Sequence, residues 1–187
     1  MTKNQIKIVI LSLSFFFISQ SSYAQTANME IGAGLGIGSI KGNSPSITSF
    51  SGNIFFGVKP EFLNGLTIRF DLLYARKVEY FLPQNRTDRY YPFIKSISLE
   101  VFLEQPVSQN IFIEEGLGVL LINDRTFDDI DAWDFGIVGN IMTGFHLWDE
   151  NEKGLTFGIG TEVGTTFTNS NAGYFVFYFQ ARYGFVL

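Results

Sequence analysis

The stretch Gly173 to Leu187 reads GYFVFYFQARYGFVL. Phe175, Phe177, Phe179, Ala181, Tyr183, Phe185 and Leu187 alternate with a second set that includes Tyr174, Gln180, Arg182 and Gly184. A period of two places the sets on opposite faces of a β-strand. One face is nearly all aromatic and uncharged, while the other mixes a cation, an amide and a glycine. Such a strand suits a sheet that meets an apolar medium on one side and a crowded polar space on the other.

The same rhythm recurs upstream. In 27–40, Met29, Ile31, Ala33, Leu35 and Ile37 oppose Glu30, Gly32, Gly34, Gly36 and Gly38. In 50–59, Phe50, Ile54, Phe56 and Val58 oppose Ser51, Asn53, Phe55, Gly57 and Lys59, and Asn64-Gly65 then signals a tight turn. Further alternating segments are expected at 66–75, 96–104, 111–121, 134–147 and 155–167, with the quoted stretch as the eighth. The intervening stretches are polar, the longest being Glu79 to Tyr91 and Asn123 to Ala132. Connections after the first, third and fifth strands read as longer than those after the second, fourth and sixth. That asymmetry fits long external loops and short periplasmic turns.

The N-terminus has the pattern of a secretory signal. Lys3 and Lys7 precede the apolar run Ile8 to Ile18, and Ser22-Tyr23-Ala24 ends in a small-residue cleavage site. The expected division is therefore a signal peptide, 1–24, and one barrel domain, 25–187. The apolar run is too short to span a bilayer as a helix, so insertion would use strands. With no cysteine in 187 residues, disulfides and thiolate metal sites are excluded. A formal charge of −5 and a pI near 4.8, with no basic stripe, argue against nucleic acid as a partner.

Alternation alone does not separate a membrane barrel from a soluble one, whose apolar face points inward. Residue size favours the membrane. The more polar face is dense in glycine, a poor solvent surface but a suitable lining for the narrow bore of eight strands, and Lys plus Arg total only 13. The expected fold is all-β, an eight-stranded antiparallel up-and-down transmembrane barrel. On its hairpin rhythm, its glycine-alternating strands such as Glu114-Glu115-Gly116-Leu117-Gly118, and its ending Tyr183-Gly184-Phe185-Val186-Leu187, the chain resembles small outer-membrane barrels. Those are the OmpA, OmpX and OmpW types and the β-barrel-domain proteins common in Bacteroidetes. The resemblance implies a Gram-negative outer-membrane location and contact with outer-membrane lipid. It also implies a final strand read by the barrel insertion machinery, although Leu187 stands where an aromatic is usual.

The inward face carries Glu30, Lys59, Arg69, Asp71, Glu100, Glu104, Glu114, His146, Glu162 and Arg182. Unpaired buried charge is costly, so these groups are expected to pair. The expectation is a polar plug of Arg69, Asp71, Glu100, Glu114, Glu162 and Arg182, with the arginines bridging some of the acids. The alternative is a gated ion path or a proton-sensing cluster. Arg76 and Lys95 break the outward face near its outer end and are candidate lipopolysaccharide contacts. Asp124, Asp128, Asp129, Asp131 and Asp134 lack calcium-loop spacing and are expected to form a solvated acidic loop. His146 has no serine at hydrolase spacing, so no catalytic residue, cofactor or metal is expected. Glu115 falls on the outward face, which leaves a bulge, a protomer contact or a protonated acid as explanations. The expected role is an envelope structural or surface-interaction protein whose surface partner the sequence does not name. The alternatives are a lipid A modifying enzyme and an exported soluble ligand-binding barrel.

Overall fold

The computed structural model describes residues 28–42, 45–60, 65–82, 89–129, 131–148 and 153–186. The signal peptide, Asn64, Arg86 and Leu187 lie outside the described residues. Eight strands follow in chain order: β1 (Asn28–Lys41), β2 (Ile47–Lys59), β3 (Leu66–Lys77), β4 (Phe93–Pro106), β5 (Ile111–Arg125), β6 (Ala132–Trp148), β7 (Gly154–Thr166) and β8 (Gly173–Val186). Each pairs antiparallel with its sequence neighbours, and β8 returns to β1 from Asn28↔Val186 to Lys41↔Gly173, closing the barrel. Closure removes the open sheet edge and pairs the backbone groups between strands, as a hydrocarbon environment requires. No helix among the described residues is long and apolar enough to cross a membrane, which leaves crossing by strands open.

The alternation fixes which way each side chain points. Leu35, Ile54, Leu99, Leu117, Ile141, Phe177 and Phe179 are all at least half exposed, forming an apolar exterior. Glu30, Arg69, Asp71, Glu100, Glu114, Glu162 and Arg182 are buried inside. A soluble barrel would have the reverse arrangement. Glycine makes the crowded bore possible: a Cβ on Gly116 would meet the Phe102 ring.

Several strands run beyond their expected limits. β4 starts at Phe93, β5 continues to Arg125 and β6 starts at Ala132. The expected loop 123–132 therefore shrinks to 126–131, because polar residues at a barrel rim still complete the backbone ladder. The loop asymmetry likewise narrows to one connection, 78–92, which opens with a 3-10 turn at Val78–Phe81. Gly65 lies between β2 and β3 at φ 78°, in the left-handed region a tight turn favours.

Candidate functional site

The bore is layered. Nearest the chain termini, Arg69 Nη2 donates to Glu30 Oε1 at 2.7 Å and to Glu114 Oε1 at 3.0 Å. Arg182 Nη1 donates to the same Glu114 Oε1 at 2.7 Å, and its Nη2 reaches Glu104 Oε2 at 2.8 Å. Lys59 Nζ lies 3.5 Å from Glu104, and His146 Nε2 lies 3.3 Å from that carboxylate's other oxygen. Lys59, Arg69 and Arg182 thus balance Glu30, Glu104 and Glu114 without counting the histidine. The guanidiniums also stack on rings, Arg69 3.9 Å from the Phe102 centroid and Arg182 5.0 Å from that of Phe112. This stacking covers the remaining guanidinium surface with π-faces.

Of the six expected plug residues, Arg69, Glu114 and Arg182 meet here. Asp71, Glu100 and Glu162 do not: no salt bridge within 4.0 Å reaches them among the described residues, so of the four candidate acids Glu114 alone bridges the arginines. Their hydrogen-bond donors are neutral. Asn53 donates to Asp71 at 2.6 Å, Ser98 to Glu100 at 2.7 Å and Tyr174 to Glu162 at 2.5 Å. Glu100 Oε2 is buried without a hydrogen-bond partner. Glu30 and Glu104 replace them as arginine partners, because register sets how far along the bore each inward residue sits.

The sequence did not single out an apolar layer on the inward face. Ile40, Ala75, Ile94, Leu120, Ile122, Val138 and Val176 are buried together toward the loop end. The signal was available, since these positions share the parity of the inward acids, but apolar residues in strands that also face outward apolar surroundings do not stand out.

The acidic loop is also corrected. Asp124 and Asp134 are fully buried, not solvated. Asp124 accepts from the Thr126 backbone N–H at 2.9 Å, and Asp134 from Thr168 Oγ1 at 3.0 Å and from the Ser170 hydroxyl, which ties the β7–β8 turn to β6. Asp131 remains exposed, and the hydrogen bond from Asn123 Nδ2, followed by the Arg125 guanidinium, holds its carboxyl below the usual range. No group of three or more metal-ligating side chains converges among the described residues.

Arg76 and Lys95 lie at the outer ends of β3 and β4, where the Arg76 guanidinium sits 3.5 Å over the Tyr80 ring. Phe93 stands between them, 5.4 Å from Arg76 and 5.8 Å from Lys95. Glu115 is exposed on the outward face, and the unbroken register Leu103↔Glu115↔Ile141 removes a bulge as its explanation. His146 is stacked on Phe112 at 4.3 Å, with Thr156 Oγ1 3.0 Å from its Nδ1.

No protein-family model matches the sequence, and no curated protein matches it. Solved structures do match. Neisserial surface protein A superposes with a TM-score of 0.66 at 11% identity, over 83% of this chain and 96% of that one. The attachment invasion locus protein of Yersinia pestis, Ail, superposes with a TM-score of 0.51 at 11% identity, over 85% of this chain and 99% of that one. The fold is that of the small outer-membrane barrels. A closed barrel with a continuous apolar exterior is stable in a bilayer, and the barrel form is the one bacterial outer membranes use. Its fold and its apolar exterior are those of an outer-membrane barrel.

Proposed function

We propose that the protein is a sealed, non-catalytic outer-membrane barrel that serves the envelope as a structural or surface-interaction element. The observation that carries this reading is the filled bore, an electroneutral ion-pair layer at one end and an apolar layer toward the other. The paired charges are locked in mutual hydrogen bonds, Asp71, Glu100 and Glu162 are held by neutral donors, and the apolar side chains toward the loop end supply no groups to replace an ion's water. His146 sits between the Glu104 carboxylate and the Thr156 hydroxyl, the order of a nucleophilic triad, but Thr156 is buried and the cavity beside it measures only about 10 Å³, too small for a substrate. The barrel insertion machinery would read β8, which ends in an outward aromatic series.

Planar-bilayer recording tests the reading. The purified protein is expected to give no steady conductance at neutral pH, and a large, stable, ion-selective current would sink the sealed-barrel assignment.

A further inference from the structure

The outward face carries its hydrogen-bonding side chains on one side of the barrel. Away from the strand ends that face is apolar on β1, β2, β3, β4 and β8, whereas β5, β6 and β7 place Glu115, Thr143 and Thr161 on it. The ladder brings these three together. Leu103↔Glu115↔Ile141↔Thr161 is one row across β4 to β7, and Thr143 follows Ile141 on the same face of β6, beside Glu115. Gly139 lies on the other side of Ile141, and a Cβ there would meet nothing within 4 Å, so the surface has a hollow at that point. Its ladder partner Leu117, 68% exposed, is the most exposed large apolar residue among those described.

Glu115 is not at the membrane surface. It lies four residues in from Ile111, where β5 begins, which at a strand tilt of about 40° is about 10 Å along the barrel axis. Ile113, Phe145 and Leu147 extend the exposed apolar face below it. No hydrogen bond or ion pair reaches the Glu115 carboxyl or the Thr161 hydroxyl among the described residues. Thr143 Oγ1 donates to Phe112 O at 2.9 Å, and a hydroxyl keeps lone pairs or rotates to meet a further partner. A polar group held in hydrocarbon without a partner is costly. The barrel cannot turn Glu115 inward, since the opposite parity of β5 holds Glu114 in the ion-pair layer.

Depth selects the occupant. Following the ladder round the barrel from Ile31 returns to β1 at Lys41, so each row climbs toward the loop end by about 3 Å per strand, while two residues along β6 descend by about 5 Å. Glu115 and Thr143 are thus level to about 2 Å. A two-fold axis along the membrane normal carries every residue to its own depth on a second copy, so a carboxyl and a hydroxyl side by side at one depth complete each other across that axis. Leu117 and Gly139 supply the steric half, a knob beside a hollow. We infer that β5, β6 and β7 form the contact face of a two-fold homodimer within the membrane, with the Glu115 carboxyl of each copy hydrogen-bonded to the Thr143 hydroxyl of the other and Leu117 seated over Gly139. Small and hydroxyl-bearing residues serve the same purpose where helices pack in membranes. The face lies outside the barrel, so it stands whether or not the bore conducts.

The chain has no cysteine, so one introduced cysteine reports contact between copies alone. With the full barrel in phosphatidylcholine vesicles at high lipid dilution, a short bismaleimide should join Ile141→Cys to its second copy far more than Ile54→Cys, which is exposed on β2 across the barrel. In the Ile141→Cys background, Glu115→Leu should weaken association about tenfold, the scale of two intramembrane hydrogen bonds. Gly139→Leu should weaken it by filling the hollow, and it should fold, because a side chain there meets no clash. Glu115→Gln should keep the dimer, since an amide still donates and accepts. Heat-modifiable migration checks that each variant is folded. Equal cross-linking of Ile141→Cys and Ile54→Cys, undiminished association in Glu115→Leu or Gly139→Leu, or the same loss in Glu115→Gln as in Glu115→Leu would overturn the proposal.

Discussion

Glu114 receives both guanidiniums of the bore, and its side chain is fully buried. Replacing it with glutamine leaves Arg69 and Arg182 with Glu30 as their one shared ion-pair partner among the described residues. Truncating one member of a buried ion pair typically costs about 3–5 kcal/mol, so Glu114→Gln should lose stability on that scale in denaturant unfolding from phospholipid vesicles. Glu100→Gln is the contrasting case. Glu100 has no ion pair among the described residues and one orphaned oxygen, so removing its charge should leave stability unchanged or improve it. Equal losses in the two variants would mean that the pairing pattern does not hold the bore together. Both glutamates were legible as inward from parity alone. Which of them meets an arginine was not, because parity gives the face of a strand but not its height against a strand two or three places along the chain.

At the scale of the element, β1 shows how closely the strands constrain each other. A Cβ on Gly38 would overlap the Phe175 carbonyl of β8, and nothing flexible there can yield. Gly38→Ala should therefore destabilise the closing seam by about 1–3 kcal/mol, the usual cost of overpacking. Gly52→Ala, outward and uncrowded, should stay within about 0.5 kcal/mol of wild type. The fraction of heat-modifiable barrel on cold gels measures both, and similar behaviour of the two would count against the seam geometry. The strands themselves were readable from alternation. Their ends were not: Asn123 and Asp124 look like loop residues by polarity, yet both lie within β5. A barrel rim pays for such residues with local hydrogen bonds, as Asp134 does through Thr168 and Ser170.

The whole molecule offers an apolar exterior that water would not tolerate. It should fractionate with membranes, require detergent for extraction and migrate differently before and after boiling. Substituting both Tyr183→Ala and Phe185→Ala should reduce the heat-modifiable membrane fraction several-fold in cells, since β8 would present a weakened insertion signal and two fewer aromatic anchors. Recovery of the wild-type chain as a soluble monomer without detergent would contradict the membrane placement.

By itself, the sequence determined the strand count, the sense of each face and the kind of medium each face meets. These follow from local alternation and side-chain size, and GYFVFYFQARYGFVL already contains both faces. Only the tertiary structure decided which inward charges share a layer, that an apolar layer lies beyond them, and that Leu117, Gly139 and Thr143 gather around Glu115 on one side of the barrel. Those facts depend on the register between strands, which hydrogen-bonded closure sets across the whole barrel and no single strand encodes.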